Sequence, residues 1–175
     1  MTHYINLYGG PGTGKSTTAA GLFHYMKLMG VKCELITEFA KDLAYEDRTH
    51  HDQLLIFAEQ YARMARVKGK VDYAITDSPL LLSHIYASGT HWENIHFHEL
   101  VRYANEHLGI HYHVMLKRVK PYERYGRFQT EQQALELDGI IYKMLNDEVD
   151  CFWRVEATDM APKRILEALN LPLPD

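Results

Sequence analysis

Cysteine is scarce: Cys33 and Cys151 are the only two in 175 residues. A disulfide-stapled fold is thereby excluded. Both fall inside predicted strands, over 32–37 and 150–156, and the sheet order expected below puts them on the order of 19 Å apart. Both are therefore expected as reduced core residues, in keeping with a cytoplasmic setting. No stretch is long and apolar enough to span a bilayer, and the N-terminus lacks the basic-then-apolar layout of a signal peptide. No membrane is expected as a partner. Neither sign of charge dominates, since the formal net charge is −4 with eleven histidines taken as neutral. Such a field does not favour a nucleic-acid backbone, although a local basic patch leaves DNA open as a partner. There is no internal repeat or low-complexity run, and the length suits one α/β domain over 1–175.

The most constrained stretch is Gly9-Gly10-Pro11-Gly12-Thr13-Gly14-Lys15-Ser16, which fits the phosphate-loop pattern G-x-x-x-x-G-K-[ST] at every fixed position. A predicted strand over 3–8 precedes it, and a helix running on to Met29 follows, with Ala19, Leu22, Phe23 and Met26 on one face. Residue chemistry explains the pattern. Glycines at 10, 12 and 14 let backbone N–H groups close on phosphate oxygens, and the helix beginning at Lys15 turns its positive end to the same anion. Lys15 is expected on the β- and γ-phosphates and Ser16 on Mg²⁺, with Thr13 and Thr17 beside the nucleotide.

The chain then alternates strand and helix. Strand two ends at Thr37, and Glu38 opens a helix; its acid is either a dipole contact at the helix start or a catalytic carboxylate at a strand tip. A helix over 53–68 carries Arg63 and Arg66, solvated cations or holders of an acceptor phosphate. Strand three, 71–77, ends on Asp77, where a carboxylate can serve Mg²⁺. Asp77 and Ser78 can equally cap a helix opening at Pro79. A helix over 95–108 and a strand over 110–117 follow. His111 and His113 share a face of that strand, and His96 and His98 lie nearby. No cysteine or carboxylate completes a tight cluster with them in the sequence, so packing and surface roles are expected. Lys117 to Arg127 gathers cations with Pro121 and Gly126, the makeup of a closing flap, here a lid-like segment over 118–128; the alternative is a solvated connector. Thr130 and Gln133 form a capping box for a helix striped by Ala134, Leu137, Ile141, Met144 and Leu145. A last strand ends at Glu156, and a helix over 161–169 stops before Pro172.

Alternation of this kind gives a parallel sheet with helices on both faces. Lys117-Arg118-Val119-Lys120 stands where guanine-specific proteins carry Asn-Lys-x-Asp, and no Leu-Ser-Gly-Gly-Gln signature occurs. On the phosphate loop, Thr37 to Asp42, Thr76-Asp77-Ser78-Pro79 and Tyr125 to Glu131, the chain resembles small P-loop kinases of the nucleoside and nucleotide kinase superfamily. It is particularly similar to ribosylnicotinamide-kinase-type ATPase domains and to short AAA-ATPase-like proteins of bacteriophages. The resemblance implies a three-layer P-loop NTPase fold with sheet order 2-3-1-4-5 and a short basic lid. It also implies ATP and Mg²⁺ as cofactors, Glu38 as general base, Asp77 as Mg²⁺ ligand, and Lys15, Arg118, Arg124 and Arg127 against the phosphates. Glu38 and Asp77 can exchange roles. The activity implied is phosphoryl transfer to a nucleoside or nucleoside monophosphate. Alternatives are a phage-type kinase acting on 5-hydroxymethyluracil in DNA, in the host cytoplasm, and a regulatory ATPase working through a protein partner.

Overall fold

The computed structural model describes residues 1–46, 52–119 and 130–172. Within them the elements run β1 (His3–Tyr8), α1 (Lys15–Leu28), β2 (Cys33–Ile36), α2 (Phe39–Tyr45), α3 (Gln53–Ala65), β3 (Tyr73–Thr76), α4 (Leu82–Tyr86), α5 (Ile95–Leu108), β4 (Ile110–Lys117), α6 (Glu131–Glu148), β5 (Trp153–Glu156) and α7 (Ala161–Ala168). The five strands form one sheet, ordered β2-β3-β1-β4-β5, and every pairing is parallel. This is the expected order. Parallel strands need crossovers, and the helices that supply them cover both faces of the sheet.

The alternation of β1 sorts the two cores. Ile5 and Leu7 pack with Ala19, Leu22 and Met26 of α1 and with Ile165 and Leu166 of α7. Tyr4 and Tyr8 point to the other face, among Phe57 of α3, Leu82 of α4, Val101 of α5 and Ile141 of α6. Asn6, His111 and His113 share that second face. The register pairs Tyr4 with His111 and Asn6 with His113. They form a buried polar strip: Asn6 Nδ2 lies 3.1 Å from His111 Nδ1, and the Tyr8 hydroxyl 2.9 Å from His113 Nδ1.

Local chemistry sets the helix starts. Asp52 accepts from the Leu54 amide, Asn94 accepts from the Phe97 amide, and Thr130 and Gln133 close the anticipated capping box. The expected helix opening at Pro79 is not formed. Residues from Pro79 turn through Leu82 N–H to Pro79 and Ser83 N–H to Leu80 hydrogen bonds, and α4 begins only at Leu82 without a side-chain cap. Asp77 and Ser78 therefore do not cap α4. Cys33 is buried in β2 as expected, but Cys151 is exposed and precedes β5. β5 is shorter than its sequence run suggests because pairing with β4 begins only at Trp153, opposite Val114.

Candidate functional site

Register gathers the site at one edge of the sheet. Ile36 stands level with Thr76, and Thr76 with Asn6. Glu38, Asp77 and the loop after Tyr8 thus leave neighbouring strand tips together. In open α/β sheets that edge is where ligands bind.

The phosphate loop is shaped by backbone demands. Gly14 caps α1 with φ 101°, no side chain caps that helix, and its first turn holds no acid. The first-turn amides are left to an anion. Gly10 is required for another reason: a Cβ there would stand 2.6 Å from the Ala134 carbonyl oxygen and 2.9 Å from Asp138 Oδ1. Thr13 is buried, and its hydroxyl donates to the Gly10 carbonyl. Lys15 Nζ donates to the Gly9 and Gly10 carbonyls at 2.6 and 3.2 Å, so the ammonium is folded along its own loop.

Charges of both signs surround Lys15. Burial draws its ammonium down from the ordinary lysine range, while Glu38, Asp77 and Asp138 oppose that shift and Arg118 adds to it. Burial pushes the Glu38 carboxyl up, with Lys15 opposing and Asp77 reinforcing the rise. Glu38 is the N-cap residue of α2, yet its side chain makes no capping bond. Tyr86, ending α4, has its hydroxyl pushed up to about 12 by burial and by the charges of Glu38 and Asp138.

Beside Ser16 opens a cavity of about 240 Å³, lined by Glu38, Asp77 and, from α2, Lys41, Asp42 and Tyr45. Ser16 and Thr17 are both exposed. Asp77 is 5% exposed, and its Oδ1 is buried without a hydrogen-bond partner. A buried carboxylate oxygen left in this way suits a cation, and with the Ser16 hydroxyl it offers the hard oxygen donors that Mg²⁺ takes. The donor set fits the ion.

Arg118 lies against the phosphate loop. Its Nη2 donates to the Pro11 carbonyl at 2.9 Å and to Asp138 Oδ2 at 3.1 Å. Asp138 accepts from the Gly10 amide at 2.5 Å. This acid of α6 was not anticipated, and it ties the phosphate loop to the residue after β4. Arg63 does not face the cavity as a spare cation: it pairs with Asp42 and lies 5.1 Å over the Phe39 ring. Arg124 and Arg127, with most of the lid-like segment, fall outside the described residues.

Residues 4–163 match the model of a family described as an AAA domain. No curated protein matches the chain by sequence. Many solved structures share its fold, two NadR proteins among them. A NadR protein in complex with NAD and AMP-PNP is 11% identical with a TM-score of 0.69, the match covering 99% of this chain and 51% of that one. A NadR protein in complex with NR is 11% identical with a TM-score of 0.70, over 99% and 52%. The chain spans about half the length of these proteins. At this identity the likeness is one of fold alone, that of a parallel-sheet P-loop NTPase domain.

Proposed function

Since the chain belongs to that AAA-domain family, we propose that it is a P-loop kinase, transferring the γ-phosphoryl group of ATP to a hydroxyl of a small acceptor. The observation that carries this reading is the cavity in which Ser16, Glu38 and Asp77 meet beside the phosphate loop. The AMP-PNP bound by one NadR structure supports a nucleotide in that loop.

In the reaction the acceptor oxygen forms a bond to the γ-phosphorus, the bond from that phosphorus to the β,γ-bridging oxygen breaks, and ADP leaves. Glu38 takes the hydroxyl proton; a carboxyl raised by burial is a better base than an exposed one. Lys15 turns from the Gly9 and Gly10 carbonyls to the phosphates, and the α1 amides hold their oxygens. Mg²⁺, held by Ser16 and Asp77, would neutralise charge on the phosphate oxygens. Arg118, Arg124 and Arg127 are the further cations assigned to the phosphates.

Charge in the cavity bears on the acceptor. Glu38, Asp42 and Asp77 line it against Lys41, and Arg63 is occupied by Asp42. With Asp42 neutralised by Arg63 and Asp77 assigned to Mg²⁺, Glu38 and Lys41 are left to meet the acceptor, and a nucleoside and a nucleoside monophosphate both fit that charge. A regulatory ATPase has one observation in its favour, the Asp138 and Lys15 contacts that close the loop on itself. The cytoplasm, where ATP is abundant, is the compartment that suits either role.

The experiment is ATP turnover with Mg²⁺ against nucleosides, nucleoside monophosphates, ribosylnicotinamide and hydroxymethyluracil-containing DNA, following phosphate onto the acceptor by mass spectrometry. Phosphorylated nucleoside, nucleoside monophosphate or ribosylnicotinamide is the expected product. Phosphorylated DNA would favour the polymer substrate, and ADP release with every acceptor unmodified would favour the regulatory ATPase.

A further inference from the structure

Away from the phosphate loop, His84 of α4, His98 of α5 and Glu148 of α6 converge, each offering one ligand atom within 4.8 Å of the others. No sequence motif joins them. His84 is 6% exposed, and its ring lies between two acceptors. Nε2 stands 3.2 Å from the His98 carbonyl oxygen, and Nδ1 stands 3.2 Å from Glu148 Oε1. A neutral imidazole carries one proton and can donate to only one of them. When Nε2–H donates to the carbonyl, the Nδ1 lone pair faces a carboxylate oxygen, and Nδ1 has no hydrogen-bond partner of sound geometry. Two lone pairs so placed repel unless a cation lies between them.

We propose that His84, His98 and Glu148 form a binding site for a borderline transition-metal dication of the Zn²⁺ class, which ties α4, α5 and α6 together. Two ligands at tetrahedral angles on Zn²⁺ stand about 3.3 Å apart, and the distance from His84 Nδ1 to Glu148 Oε1 is 3.2 Å. The supporting contacts are those of a metal site. The other ring nitrogen of His84 meets a backbone carbonyl, and Arg102 holds Glu148 with Nε and Nη2 bonds of 2.9 Å. His98 completes the set by a side-chain rotation. Its ring now stacks on His84 with centroids 4.5 Å apart, and it is only half-buried, so it can turn. Two imidazoles with one carboxylate already shared with an arginine select against Mg²⁺ and Ca²⁺, which take oxygen ligands. The site is thus distinct in chemistry as well as place from the Mg²⁺ position at Ser16 and Asp77.

The test is calorimetric titration of the metal-stripped protein with Zn²⁺ in excess Mg²⁺, with Co²⁺ as a spectroscopic probe. One equivalent of Zn²⁺ and the visible absorption of four-coordinate Co²⁺ are expected. His98→Ala removes a half-exposed ligand without opening the core and lowers the affinity at least ~10-fold; Glu148→Gln does the same. Zn²⁺ binding of equal strength in both variants would place the ion elsewhere and overturn the proposal. Absence of Zn²⁺ binding, with NMR showing both ring nitrogens of His84 protonated at neutral pH, would overturn it in favour of a proton as the cation.

Discussion

Replacing His113 by asparagine should flatten the dependence of stability on acid. His113 is 8% exposed on the strip beneath the phosphate loop, with the Tyr8 hydroxyl at its Nδ1 and the His111 ring stacked alongside at 5.9 Å. Burial, with His111 adding to it, lowers its pKa from 6.5 to about 4. The folded protein keeps the ring neutral while the unfolded chain takes up a proton below pH 6.5. Stability from this residue is therefore complete above 6.5 and lost as pH falls towards 4. Each pH unit in that window costs ~1.4 kcal/mol, so the whole window is worth about 3 kcal/mol. That is a large share of the ~5–15 kcal/mol typical of a domain. Burial lowers His111 and His84 in the same direction. Asparagine keeps an acceptor for the Tyr8 hydroxyl and cannot titrate. Urea unfolding of both proteins from about pH 7.5 to pH 4 measures the effect. The excess of wild type over His113→Asn should shrink by about 3 kcal/mol on the way down. Parallel curves would refute the reasoning, because they would mean that His113 takes up its proton in the folded state as readily as in the unfolded one. Tyr8 immediately precedes Gly9, so the same acid should loosen the strand end from which the phosphate loop springs.

Gly10→Ala should lose ATP turnover and ~1–3 kcal/mol of stability in thermal or urea melts, because the new methyl meets the Ala134 carbonyl, a backbone atom that cannot turn aside. Lys15→Ala should abolish ATP turnover while circular dichroism stays that of the wild type; unchanged turnover would reject the loop as the nucleotide site. Glu38→Gln should slow phosphoryl transfer far more than it weakens ATP binding, read from single-turnover rates against nucleotide affinity. In the wild type the acid limb of kcat/KM should lie above 4.5, the ordinary value for a glutamate, since the raised carboxyl must lose its proton to act.

Long periodic elements and the phosphate loop were legible from the sequence because their signals are local. The strand over 110–117 and the helix over 95–108 have the expected bounds. The sheet order was foreseen through the family resemblance, and register then brought Glu38 and Asp77 to the loop. Shorter features were less legible. Ser78-Pro79 has the composition of a helix start, but the chain turns there and α4 waits until Leu82. Cys151 sits in an apolar run, yet the strand does not pair until Trp153. The partner of Arg63 was not legible either, because Asp42 lies 21 residues away in the chain.

The acids of α6 show why such partners stay hidden. Asp138 and Glu148 lie on the stripe formed by Ala134, Ile141 and Leu145, at spacings of three and four that turn them to the same face. A search for apolar periodicity steps over them. Their partners are remote: Gly10 lies 128 residues from Asp138, and Arg102 lies 46 from Glu148. Desolvating a carboxylate without compensation costs far more than a lost hydrogen bond, so an acid on a buried stripe requires donors or a cation supplied by the fold. Asp138 finds the phosphate loop and Arg118. Glu148 finds Arg102 and faces His84. Both positions of interest on this helix therefore follow from one physical demand, and the demand was present in the sequence even though its answers were not.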